Sequence, residues 1–107
     1  MKIIYDLGAN NGDDIDHYLL KADRVVAIEA NPALCDSIRR RFSAAIQSRQ
    51  LVVESCVITS AGEAPEVDFW IHNHSHVLSQ TSRPATEVLA SFRHCRLPAR
   101  SIVDIVQ

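Results

Sequence analysis

The hydrophobic and polar positions of the first half of the chain repeat one unit: an apolar run closed by an acid, a turn, then an amphipathic stretch. Lys2 to Leu7 (KIIYDL) is nearly continuous in apolar residues, ends on Asp6-Leu7 and meets Gly8 at once. That pattern predicts a buried parallel strand entering a tight turn. After Gly12, Ile15, Tyr18, Leu19 and Ala22 recur at i, i+3, i+4 and i+7, one face of a helix. Arg24 to Glu29 (RVVAIE) predicts a second strand, again closing on an acid. Asn31 and Pro32 then supply an N-cap and a proline at the first helical position. Leu34, Ile38, Phe42 and Ala45 carry the apolar stripe of that second helix to about Gln47, and Leu51 to Val57 predicts a third strand.

This β-α-β-α-β order over residues 1–58 predicts an α/β protein with a doubly wound, mostly parallel sheet. Beyond it the period changes. Ser60 to Pro65 reads as a turn, and Glu66 to His72 alternates Val67, Phe69 and Ile71 with Asp68 and Trp70, a half-exposed strand. Asn73 to Pro84 is polar and reads as a loop. Ala85 to Phe92 predicts a short helix, His94 to Leu97 a short strand and Ser101 to Gln107 an amphipathic helix. The whole is expected to be one domain spanning 1–107, its core in 1–58 and its extra strands, loop and helices in 59–107.

Composition narrows the function classes. The 107 residues are 47% hydrophobic and 22% charged, with a net charge of −2, which suits a globular fold and offers no footing for nucleic acid. Arg39-Arg40-Arg41 is the longest run of one sign and reads as a solvated helix face. No apolar stretch approaches the roughly 18 residues of a membrane span, so no membrane partner is expected. Cys35, Cys56 and Cys95 are an odd number without paired spacing, which argues against a disulfide framework and makes the cytoplasm the default location. Cys56 and Cys95 read as small buried hydrophobes, not as nucleophiles.

The sharpest chemical feature is Asp6-Leu7-Gly8-Ala9-Asn10-Asn11-Gly12-Asp13, at the junction of the first strand and helix. Small residues there let the backbone approach a ligand closely. The dinucleotide fingerprint G-x-G-x-x-G does not fit the Gly8-x-Asn10-x-Gly12 register. Asp13 and Asp14 in the first helical turn suit the helix dipole but oppose a pyrophosphate at the same end. S-adenosylmethionine (SAM) carries a cationic sulfonium and no phosphate, and matches the acid-rich mouth better. Glu29, ending the neighbouring strand, can accept hydrogen bonds from ribose hydroxyls. A dinucleotide-dependent oxidoreductase and a non-catalytic α/β binding module remain the alternatives.

Residues Tyr5 to Asp13 (YDLGANNGD) and Ala27 to Pro32 (AIEANP) resemble the FkbM-type family of SAM-dependent methyltransferases, whose first motif is similar to D-x-G-x-N-x-G. The resemblance implies a Rossmann-like fold and methyl transfer, commonly to the hydroxyl of a small molecule or sugar. It implies that Asp6, Gly8, Ala9, Asn10 and Gly12 line the methionine end of SAM. Glu29 would hold the ribose, flanked by Ala30 and Asn31, with Ser55 and Cys56 near the adenine. Family members continue past a helix resembling Ser101 to Gln107 into a strand with lysine and acids. The chain is therefore expected to be truncated on its C-terminal side and inactive alone, its catalytic base and acceptor pocket largely missing. In such a sheet the first strand would keep an apolar open edge. Either self-association through that edge or a strand from Glu66–His72 or His94–Leu97 covering it is expected.

His72, His74 and His76 alternate, and a continuing strand would put them on one face with Trp70. Three imidazoles could ligate zinc, nickel or copper. Asn73 and Ser75 are loop formers, however, so a polar loop whose histidine could serve as a base is the stronger reading, and no metal site is assigned.

Overall fold

Val25, Val26, Ala27 and Ile28 are all buried, because the strand that holds them is the middle of a parallel three-stranded sheet. In the computed structural model, which describes residues 1–59, 65–75 and 79–106, the protein is mixed α/β. It divides into two compact units, Met1–Ser55 and Cys56–Gln107. The first contains β1 (Ile3–Leu7), α1 (Ile15–Lys21), β2 (Arg24–Glu29), α2 (Pro32–Arg41), α3 (Ser43–Gln47) and β3 (Leu51–Ser55). The second contains β4 (Val57–Thr59), β5 (Glu66–His72), a 3₁₀ helix (Thr86–Ser91), β6 (Phe92–Ser101) and α4 (Ile102–Val106).

In the first unit the sheet order is β1-β2-β3, with Ile4 opposite Val25, Asp6 opposite Ala27 and Ala27 opposite Val53. Side chains alternate across a strand, so Val25, Ala27, Leu51 and Val53 share one face. Ile15, Ile38 and Phe42 pack on that face, with Tyr18, Leu19, Ala45 and Ile46 around them. All three helices thus contribute to one face of the sheet. Burying a side chain such as Ile15 or Ile38 completely stabilises the unit by about 1.5–3 kcal/mol each.

Two boundaries differ from the sequence reading. The second helix does not run unbroken to Gln47: Phe42 leaves helical geometry at φ −112°, ψ 32° while its N–H still reaches the Ile38 carbonyl. The Phe42 carbonyl accepts from Ile46, so Phe42 keeps a backbone bond on each side of the kink. The buried stripe is Cys35, Ile38 and Phe42, with Leu34 only half-buried beside it. The third strand stops at Ser55, and after the bend at Cys56 the chain enters a different sheet as β4.

That second sheet has the order β4-β6-β5. The expected short strand at His94–Leu97 is the middle of a ten-residue strand, antiparallel to β5 and parallel to β4. Pro98 hid this extent, because proline is a poor resident of a central strand. The Ala99 N–H bonds the Pro65 carbonyl on the β5 side, so the missing N–H of Pro98 falls on the other edge. There β4 takes up register only from Ala99 onward. Phe69, Ile71 and Leu97 are buried, as the alternation requires. The supposed loop after Asn73 also contributes an edge: Gln80 exchanges both backbone hydrogen bonds with Trp70, at 2.8 and 3.0 Å. The short helix expected at Ala85–Phe92 is 3₁₀, and α4 begins behind Ser101, whose Oγ accepts from the Asp104 N–H. The turn expected at Ser60–Pro65 falls largely outside the described residues.

Neither β5 nor β6 covers β1. They pair with each other, and β1 pairs with β2 alone among the described residues. The covering-strand expectation is therefore overturned, because β6 meets its partners within its own sheet. Among the described residues no helix is long and apolar enough to cross a membrane.

Candidate functional site

The loop between β1 and α1 is shaped by three left-handed residues at alternate positions: Gly8 at φ +72°, Asn10 at +54° and Gly12 at +85°. Glycine adopts that region freely, and asparagine is among the side chains that best tolerate it. The spacing Gly8-x-Asn10-x-Gly12 is thus a backbone requirement. The two glycines nevertheless do different jobs. A Cβ on Gly8 would meet nothing within 4 Å, so open space adjoins it. A Cβ on Gly12 would lie 3.1–3.2 Å from Phe42, Ile15 and Ile38, so its bareness serves the core. Ala9 is also a core residue.

The amides of Gly8 and Ala9 both donate to the Ile28 carbonyl, at 2.8 and 3.1 Å, tying the loop to the end of β2. Glu29 strengthens that tie. Its Oε1 accepts from the Asn10 N–H at 2.7 Å and its Oε2 from the Asn31 N–H at 2.8 Å. One carboxylate thus clips the β1–α1 and β2–α2 loops together, and charge-assisted hydrogen bonds of this length are the strong ones. Each oxygen keeps a further lone pair for a ligand. Asn31 is 2% exposed, and its side chain caps α2 by accepting from the Ala33 N–H at 3.0 Å. Pro32 follows at the first helical position. Ala30 sits half-buried between the two residues of the clip.

Asp6 lies next door in a different state. Its Oδ2 is shut off from solvent and has no hydrogen-bond partner among the described residues. Burial, then the nearby charges of Asp14 and Glu29, pushes its carboxyl above the ordinary aspartate value. A buried acceptor left unmatched costs about 1–3 kcal/mol, which a donor-bearing ligand would recover. Helix α1 begins at Ile15 with Asp14 as its N-cap, so Asp13 and Asp14 precede the first turn and Asp16 lies in it. Arg41, at the end of α2, meets Asp13 at 3.3 Å and Asp16 at 3.2 Å. Three acids against one arginine leave this mouth negative. The arginine triplet is a solvated face, with Arg39 on Asp36 and Arg41 over the Phe42 ring at 4.9 Å.

Ser55 stands opposite Glu29 in the sheet register, and its hydroxyl hydrogen-bonds the Cys35 thiol. Cys35 was not picked out by the sequence pattern. It is buried, donates to the Glu29 carbonyl at 3.1 Å, and burial pushes its thiol up. Its only sequence signal is its place one helical turn past the Asn31 cap. Cys56 is buried as the first residue of the second unit. All three cysteines are thiols, and Cys95 is also pushed up by burial, which disfavours the reactive thiolate.

The structure therefore brings Gly8, Ala9, Asn10, Glu29, Ala30 and Asn31 together around the clip, with Asp6 beside them. Gly12 and Ala9 face the core, and Ser55 is engaged by Cys35. No family model, curated protein or solved structure matches the chain.

Among the described residues the histidines of the second unit form no ligand set, although the His72 and His74 rings meet edge-on at 6.1 Å. His72 accepts through Nδ1 from the N–H groups of His74 and Ser75, at 3.1 and 2.9 Å, and packs edge-on against Phe92. It organises a turn. His74 is exposed, and His76 lies outside the described residues. Among the described residues no three His, Cys, Asp or Glu side chains are grouped to hold a metal ion. A different histidine is the connected one: His94 stacks on Trp70 at 4.4 Å and meets Asp68 Oδ1 at 2.9 Å.

Proposed function

We propose that the β1 and β2 ends of the first unit hold S-adenosylmethionine, and that the protein serves a SAM-dependent methyltransferase of the FkbM type on a Rossmann-like fold. The methyl acceptor on this reading is a hydroxyl of a small molecule or sugar. The observation that carries the proposal is the solvent-inaccessible, unpartnered Asp6 Oδ2, two residues from the open space beside Gly8. A ligand entering there needs a hydrogen-bond donor, and the amino group of SAM is a cationic one.

Bound SAM would supply an electrophilic methyl group. The chain's own residues would hold and orient it. Asp6 would accept from the amino group, and Gly8 would leave room for the methionine end. Glu29, held rigid by the Asn10 and Asn31 amides, would offer its remaining lone pairs to the ribose hydroxyls. A dinucleotide is disfavoured by the chain's own charges, since a pyrophosphate at α1 would face Asp13, Asp14 and Asp16.

Thermal unfolding with S-adenosylhomocysteine and with NAD tests the assignment. A ligand at about 100 times its dissociation constant stabilises the native state by about 2.7 kcal/mol. S-adenosylhomocysteine should raise the melting temperature, NAD should not, and Asp6→Asn and Gly8→Val should each reduce the rise. Stabilisation by NAD alone would favour an oxidoreductase, and stabilisation by neither a non-catalytic module.

A further inference from the structure

Asp6 and Glu29 end neighbouring strands, and only Glu29 has the donors that keep a carboxylate ionised. It takes a backbone N–H on each oxygen. Asp6 Oδ2 is closed to solvent and meets no donor among the described residues. A carboxylate without donors or water is costly, and the group relieves that cost by keeping its proton. The charges that act on it point the same way. Asp14, just ahead of α1, and Glu29, on β2, are both acids, and both add to burial in raising the Asp6 carboxyl. Arg41, the cation that α2 brings to this mouth, is engaged by Asp13 and Asp16 at 3.3 and 3.2 Å. In the sheet register Asp6 stands level with Ala27 and Val53, which carry no charge. The residue as a whole is half-buried, and two positions on, Gly8 adjoins open space. The shielded oxygen thus lies near room for a ligand.

We propose that this site takes up its cofactor in exchange for a proton: Asp6 holds the proton in the free protein and passes it to solvent when the cofactor's ammonium group reaches Oδ2. At the carboxyl one positive charge replaces another. The inference rests on the S-adenosylmethionine reading of the β1 and β2 ends, and adds two demands that reading alone does not make. Affinity falls on acidification, because protons and the ammonium group compete for one oxygen. The dependence also belongs to ligands that carry the ammonium group, since an adenosyl ligand without it leaves Asp6 protonated.

Isothermal titration calorimetry on the whole chain, in buffers of different ionisation enthalpy from about pH 4.5 to 7, counts the protons released per ligand bound. The probes are S-adenosylhomocysteine, which keeps the ammonium group, and methylthioadenosine, which lacks it. S-adenosylhomocysteine should release a fraction of a proton that grows toward one as pH falls toward the ordinary aspartate value. Its affinity should weaken in step, by no more than about tenfold per pH unit. Methylthioadenosine should release none. Asp6→Asn should bind S-adenosylhomocysteine more weakly at neutral pH and abolish the release. Binding of S-adenosylhomocysteine with no release, with proton uptake, with the same release as methylthioadenosine, or with the release intact in Asp6→Asn overturns the exchange and leaves the cofactor assignment standing. Failure of S-adenosylhomocysteine to bind at any pH overturns both. The two ligands on the parent chain decide the matter even where the variant misfolds.

Discussion

β1 and β2 are neighbouring parallel strands, both apolar and both closed by a carboxylate, yet the two carboxylates sit in opposite circumstances. Glu29 is matched: each oxygen accepts a backbone amide, one from each of the two loops it joins. Asp6 is unmatched among the described residues, with Oδ2 shut away from solvent and from their donors. The strands differ in the same sense. β2 is buried through Val25–Ile28, whereas β1 is half-buried and ends on Leu7, 57% exposed. One acid is therefore a structural clip, and the other an acceptor waiting for a donor. A carboxylate at the end of a parallel strand is not a role by itself; its neighbours' amides decide which it becomes.

The largest expected effect comes from breaking the clip. Glu29→Ala strands the Asn10 and Asn31 amides and should destabilise the first unit by about 2–4 kcal/mol, read from urea unfolding. An unchanged midpoint would show that the clip carries no stability. Next come the two glycines. Gly12→Ala places a methyl in contact with Phe42, Ile15 and Ile38 at a left-handed position, and should cost about 2–3 kcal/mol. Gly8→Ala carries only the backbone strain, about 1 kcal/mol. Equal losses at both would remove the distinction between a packing glycine and a ligand-facing one.

Asp6→Asn should act in the other direction. Because the folded carboxyl is raised above its unfolded value, the native state binds the extra proton, and this group favours folding most at low pH. Its contribution is lost as pH rises from the ordinary aspartate value through the raised one. The amide removes that loss, so the variant should gain less than about 1 kcal/mol at neutral pH, given partial solvent screening. The parent-minus-variant difference should shrink as pH falls. A difference that grows on acidification would contradict the cause assigned to Asp6. Asp68 should behave oppositely, since hydrogen bonding from His94 lowers its carboxyl: its contribution is present above the ordinary aspartate value and lost on acidification. The smallest effect is expected at the open edge of β1, as weak self-association seen by sedimentation only at high concentration and abolished by Ile3→Pro. A monomer at every concentration would end that expectation.

Much of the first unit was legible in the chain. Continuous apolar runs closing on acids, the 3.6-residue stripe and Asn31-Pro32 located the three strands and the first two helices of 1–55, because each pattern reports a local burial requirement; α3 was read as the end of α2. The kink at Phe42 was not legible, since the ring's packing beneath Gly12 is a tertiary contact. The second unit was read less well. Pro98 masked a ten-residue strand, tolerated only because its missing N–H falls where β4 has not yet taken up register. The alternating histidines suggested a shared face, whereas His72 turned to cap its own loop.

What the chain alone determined is the backbone chemistry of the candidate site. Residues 8, 10 and 12 had to be glycine or asparagine because a loop that reverses direction between β1 and α1 needs left-handed positions. What only the tertiary structure decided is which polar groups remain unmatched. Glu29 and Asp6 read alike in sequence, and the amides of Asn10 and Asn31 reached one and not the other. Hydrogen bonds are short and directional, so which carboxylate the Asn10 amide reaches is decided by how the two loops are placed.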